Sequence, residues 1–96
     1  MPKLVRDLIP DIMRDQNKYG SFYTAEMVEF SERLCDKLFE EAQEFKESQS
    51  LEELADLLEV IYTLAELKGH TRVTLEEIRE KKIKERGGFS LRLIKN

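Results

Sequence analysis

Two acidic pairs interrupt the apolar stripes of two consecutive predicted helices: Glu41-x-x-Glu44 in the first and Glu53-x-x-Asp56 in the second. Residues three apart on a helix are neighbours, so each pair presents its two carboxylates together. At about 100° per residue, Glu41 falls in the sector of Phe30, Leu34, Leu38 and Phe45, with Lys37 and Glu44 at the edge and Glu40 pointing further outward. In the second helix Glu53 and Asp56 bracket the line that continues as Val60, Leu64 and Leu67, while Leu54, Leu58, Ile61 and Ala65 widen the apolar sector. An unpaired buried carboxylate normally protonates, and four close together repel. Either a divalent cation of the magnesium type gathers their oxygens, or the helices overlap only at their ends and leave the acids in water or paired with Lys37 and Lys46.

Four helices account for the chain, which points to an all-α, four-helix, bundle-like domain. Pro10 lets the first helix begin near residue 7 or later and run to about Lys18, before Gly20. Thr24 is the expected N-cap of a long second helix ending near Lys46. Ser50 and Glu53 have capping-box spacing, which starts the third helix at Leu51 and ends it before Gly69. One carboxylate cannot serve well as both capping partner and metal ligand, so a ligand role for Glu53 leaves that box incomplete. Thr74 and Glu77 repeat the pattern and start the fourth helix near Leu75, with Gly87 and Gly88 ending it. The aromatic stretch 21–24 and the alternating tail 89–94 carry a weak strand signal and are expected to pair as a short β piece.

Ninety-six residues make a single domain, 1–96, with no room for a second. No apolar run approaches the roughly 20 residues that span a bilayer, and the N-terminus lacks the apolar core of a signal peptide, so a cytoplasmic location away from membranes is expected. The lone Cys35 excludes an intramolecular disulfide and lies with the apolar residues, as a core position. The lone His70 excludes a His-rich zinc site and follows Gly69 in a helix-ending turn, as a surface residue.

Charge is unevenly distributed. Residues 26–59 hold twelve acids and three bases, whereas residues 79–95 hold seven bases and two acids. An acidic site beside a cationic segment ending in Gly87-Gly88 suits a phosphate-bearing substrate, the glycines allowing close backbone approach. A basic helix C-terminus complementing its dipole accounts for Lys84 and Arg86 with no ligand at all. Nucleic-acid binding is disfavoured by the acidic balance and by aromatics that read as packing.

The opening Lys3-Leu4-Val5-Arg6-Asp7-x-Ile9-Pro10 resembles the start of small phosphoribosyl-ATP pyrophosphohydrolase-like proteins. So do Lys37-Leu38-x-Glu40-Glu41-x-x-Glu44, Glu53-Leu54-Ala55-Asp56-Leu57-Leu58-Glu59-Val60-Ile61 and Arg79-x-x-Lys82-x-x-x-Arg86-Gly87-Gly88-Phe89. These belong to the all-α, MazG-like nucleoside triphosphate pyrophosphohydrolase superfamily, whose signature is Glu-x-x-Glu followed, after a gap, by Glu-x-x-Asp. The resemblance implies that Glu41, Glu44, Glu53 and Asp56 ligate Mg²⁺, or Mn²⁺ in its place, with Glu40 contributing from outside. It also implies a homodimer or homotetramer with a nucleotide substrate between helices or between subunits. Eight residues separate Glu44 from Glu53, fewer than in larger members, so a tight turn at residues 47–50 is expected.

The activity so implied is Mg²⁺-dependent hydrolysis of a nucleoside triphosphate, or a related nucleotide, between the α and β phosphates to release pyrophosphate. Glu41 is the candidate base, preferred over Glu44. Arg79, Lys82, Arg86, Gly87 and Gly88 are expected at the phosphates, with Lys3 and Arg6 completing the site. The rival from another class is a non-catalytic helical oligomerisation module that buries its apolar faces in a partner and needs no metal. A di-iron carboxylate bundle wants Glu-x-x-His motifs, and none is present.

Overall fold

A computed structural model describes residues 2–96 as four α-helices: α1 (Ile9–Asp15), α2 (Met27–Ser48), α3 (Leu51–Leu67) and α4 (Arg72–Arg86). The architecture is all-α, with no strand among the described residues. Packing is concentrated where α2 and α3 run back antiparallel. α4 leans on α3, and α1 packs on no other helix.

The hairpin turns on two residues, Gln49 and Ser50. Gln49 takes a left-handed conformation (φ 57°), and its backbone N–H donates to the Phe45 carbonyl at 2.7 Å while its side-chain amide donates to the Lys46 carbonyl at 3.0 Å. Carbonyls at the end of α2 thus find donors without any further residues. Ser50 then caps α3, its hydroxyl accepting from the Glu53 N–H at 3.3 Å. The return half of the capping box is not made, because the Ser50 N–H donates instead to the Ser48 hydroxyl at 3.2 Å. The Glu53 carboxylate is left for other work, as a ligand role requires.

Helix ends elsewhere differ from the sequence expectations. α1 stops at Asp15, since Asn17 goes left-handed (φ 56°) and Lys18 N–H closes back on the Met13 carbonyl at 2.8 Å. α2 starts at Met27 after Glu26, with no side-chain cap, and Thr24 plays no part in it. Thr71, not Thr74, caps α4: its hydroxyl accepts from the Thr74 N–H at 3.2 Å, which moves the helix start forward to Arg72. Residues 21–24 and 89–94 form no β piece. The first is tied to α2 by the Tyr23 hydroxyl, which donates to Glu29 at 2.6 Å. The second turns at Arg92 (φ 55°), whose N–H donates to the Phe89 carbonyl, and its apolar side chains stand exposed.

The core is thin. Leu34 and Val60 are the buried apolar residues, flanked by half-buried Phe30, Leu38, Phe45, Ile61 and Leu64 along the predicted stripes. Cys35 is exposed, contrary to its core assignment, because the buried sector runs through Leu34, Leu38 and Glu41 and leaves Cys35 a further 100° round the helix. Phe39 (76%) and Leu58 (44%) are exposed as well, and the molecule measures 50 × 32 × 24 Å. Its radius of gyration, 16.9 Å, exceeds the roughly 12 Å of a compact chain of this length.

Ser50→Ala removes the α3 cap without emptying any core space. A loss of about 1 kcal/mol in unfolding free energy is expected from chemical denaturation, with unchanged helical circular dichroism below the transition.

Candidate functional site

Antiparallel helices joined by two residues bring positions equidistant from the turn to the same level. Glu41 and Glu44 before the turn therefore meet Glu53 and Asp56 after it within about one helical turn. One carboxylate oxygen from each of Glu41, Glu53 and Asp56 lies within 4.8 Å of the others, the one such metal-sized group of acids among the described residues. Oxygens held about 2.1 Å from one Mg²⁺ stand about 3 to 4 Å apart, so small side-chain adjustments close this set around an ion. Glu44 lies beside Glu53, close enough to act on its ionisation, but outside the group of three.

Burial distinguishes these acids from a solvated acidic face. Glu41 is 6% exposed, and its Oε2 is buried with no hydrogen-bond partner, as is Oε2 of Glu53. Orphaned buried oxygens are costly. They are also hard anionic donors of the kind that Mg²⁺ and Mn²⁺ take, so the residues present fit a divalent ion. Burial raises the Glu53 carboxyl to about 7, and hydrogen bonding and charge from Glu41 and Glu44 push it the same way.

Cations surround the group. Lys37, mostly buried one turn before Glu41, bridges Glu41 at 3.5 Å and Glu40 at 3.6 Å. The segment before α1 supplies two more: Lys3 pairs with Glu40 at 2.5 Å and Arg6 with Asp56 at 2.7 Å. The Lys3 pairing holds Glu40 below the usual carboxylate range and raises the Lys3 ammonium. With all groups ionised, five carboxylates (Glu40, Glu41, Glu44, Glu53, Asp56) meet three cations. Two negative charges remain, the complement of one divalent ion.

The structure thus brings together Glu41, Glu53 and Asp56, with Glu44 beside Glu53, Arg6 on Asp56 and Lys3 on the neighbouring Glu40. Within one chain it does not bring the C-terminal basic residues to them. Arg79 is held on its own helix by Glu76, at 2.8 Å from Nε, and Lys82 and Arg86 are exposed on a helix that does not touch α2. Gly87 ends α4 with φ 80°, a conformation that favours glycine, while Gly88 faces open space. Lys37 enters the site directly rather than at the stripe's edge, a role its i to i+4 spacing from Glu41 already encodes. Lys46, the other proposed partner, is exposed and forms no ion pair among the described residues. His70 is at the surface as expected.

The family model described as phosphoribosyl-ATP pyrophosphohydrolase matches residues 5–86. The chain belongs to that family. Phosphoribosyl-ATP pyrophosphohydrolases fall within the MazG-like all-α nucleoside triphosphate pyrophosphohydrolase superfamily and are hydrolases acting on phosphoric anhydride bonds. The matched span contains Arg6, all four acids and the basic face of α4, while Lys3, Gly87 and Gly88 lie outside it. No curated protein and no solved structure matches the chain. Membership makes the chain a nucleotide pyrophosphohydrolase of a typically metal-dependent family, and the group formed by Glu41, Glu53 and Asp56 can hold such a metal. No helix is long and apolar enough to cross a membrane among the described residues.

The raised Glu53 carboxyl sets a pH dependence. The folded state binds the Glu53 proton up to about pH 7, whereas the unfolded chain releases it near its ordinary 4.5. Between those values the native state holds more protons, so metal-free stability falls as pH rises. The melting temperature in chelator is expected to climb as pH is lowered from about 7.5 to about 5.5. Saturating Mg²⁺ should abolish or reverse that trend, since a ligating carboxylate must be ionised.

Proposed function

We propose that this chain, as a single domain over residues 1–96, hydrolyses a nucleoside triphosphate or a related nucleotide such as phosphoribosyl-ATP. Cleavage falls between the α and β phosphates and releases pyrophosphate in a Mg²⁺-dependent reaction, with Mn²⁺ as the substitute ion. The observation that carries this reading is the buried, unpartnered Glu41 oxygen inside a three-carboxylate group in a member of a pyrophosphohydrolase family. A bound divalent ion supplies neutralisation of phosphate charge and a more acidic water for attack.

Glu41, Glu53 and Asp56 are the ligands, with Glu44 on their edge. The sequence favours Glu41 as base. Its burial inside the group, against Lys37, supports a ligand role instead and leaves Glu44 better placed to accept the proton of the attacking water. Lys82 and Arg86 neutralise phosphate charge, with Arg79, Gly87 and Gly88 along the same segment. Because one chain does not carry that segment to its own acids, a second copy must present it, in a homodimer or homotetramer. The exposed Phe39, Leu54 and Leu58 and the elongated single chain support such an assembly. Sedimentation is therefore expected to give at least a dimer; a monomer at working concentration removes the shared site.

Glu41→Gln and Asp56→Asn are each expected to abolish Mg²⁺-dependent pyrophosphate release and to weaken Mg²⁺ binding by calorimetry, with helical content intact. Glu44→Gln should cut turnover by two to four orders of magnitude, on the scale of about 10²–10⁴ for a lost general base, while metal affinity changes only a few-fold. Full turnover in all three variants eliminates this site. A screen of common and damaged nucleotides, with phosphoribosyl-ATP among them, identifies the substrate, and a flat result returns the chain to the oligomerisation-module reading.

A further inference from the structure

Arg6 occupies a carboxylate that a divalent ion would also claim. Its guanidinium lies 2.7 Å from Oδ1 of Asp56, a member of the metal-sized group, and it reaches there from an arm outside the helical hairpin. A monovalent guanidinium and a divalent ion compete for the same carboxylate, because each is stabilised by the full charge on its oxygens.

The three cations at the site are not equally free to leave. Lys37 rises from α2 itself, one turn from Glu41, with its side chain only 18% exposed. Its place on the same helix keeps its ammonium within reach of Glu41 whatever the arm does. Arg6 and Lys3 have side chains 59% and 58% exposed and pair with acids in contact with water, the setting in which ion pairs are weak and readily exchanged. The arm carrying them has little else to hold it. α1 packs on no other helix, Leu4 and Ile9 are only half buried, and Val5 and Leu8 are exposed. Arg6 is also coupled to α1, since its carbonyl accepts from the Ile9 N–H at 3.1 Å as the helix begins.

We propose that the N-terminal arm is an exchangeable counter-ion: Arg6 neutralises Asp56 in the metal-free enzyme and is released when a divalent ion takes its place, loosening residues 2–18 from the helical hairpin. This rests on the metal reading given above. The arm then couples metal occupancy to its own mobility and raises the metal concentration at which the site is half filled. Release also frees a guanidinium beside the site, able to meet a phosphate of the incoming nucleotide.

Calorimetric titration of the full chain with Mg²⁺ alone, repeated for Arg6→Gln and Arg6→Lys, tests the exchange. Arg6→Gln is expected to bind Mg²⁺ about two- to fivefold more tightly, the scale of one exposed ion pair no longer to be broken, and Arg6→Lys to stay near the wild-type affinity. Hydrogen exchange on the unaltered chain gives a second measure that does not depend on any variant folding. Amides of residues 3–9 should exchange faster with saturating Mg²⁺ than in chelator, while those of α3 slow down. Equal or weaker Mg²⁺ binding by Arg6→Gln, or unchanged exchange of the arm on metal loading, overturns the counter-ion role and leaves the metal site standing. Absence of Mg²⁺ binding in the wild type and in both variants overturns the metal reading, and this inference with it.

Discussion

A carboxylate that leaves water must be neutralised, and the fold is organised around one such group. Glu41 occupies a place on α2 where a leucine would otherwise continue the stripe of Leu34 and Leu38, and it is more deeply buried than most of the apolar residues around it. An isolated ionised carboxylate in that place would cost far more than the neighbouring leucines return. Its setting answers this through Lys37 one turn away, while Glu53 and Asp56 from α3 complete a group that can hold a divalent ion and Arg6, from outside the hairpin, offsets Asp56. The price of that centre is a core reduced to a few residues, with much apolar surface left exposed on the single chain.

Much of this was legible because helical periodicity constrains side-chain direction tightly. Glu41 with Leu34, Leu38 and Phe45 on one stripe, and Asp56 in line with Val60 and Leu64, follow from 100° steps alone, and the Ser50 cap follows from one hydroxyl three residues before Glu53. The incomplete capping box was legible as a conflict between two uses of one carboxylate, and the structure resolves it through Ser48, whose hydroxyl takes the Ser50 N–H.

What was not legible depends on competition or on distance. Thr71 and Thr74 both make acceptable caps by composition, and only the observed geometry selects the earlier one. Cys35 reads as apolar by type, yet the hairpin buries a sector too narrow to include it. Strand-like alternation in residues 89–94 has no sheet edge to join, because nothing holds residues 21–24 extended beside it. The placement of Arg6 on Asp56 spans fifty positions of sequence, and no periodic rule reaches that far. For the same reason the separation of Lys82 and Arg86 from the acids emerges only once α4 is seen to lean on α3 and not on α2.

The two-residue link at Gln49-Ser50 has a consequence for how the protein comes into being. No two members of the Glu41, Glu53, Asp56 group lie more than fifteen positions apart, so their meeting demands little loop-closure entropy and belongs to the fastest class of folding event. The acids crowd one another as soon as that hairpin forms. A divalent ion held by that group would favour the hairpin itself, by binding the folded form. The same shortness forbids tinkering, for one inserted residue would swivel α3 by a quarter-turn or more and point its carboxylates elsewhere.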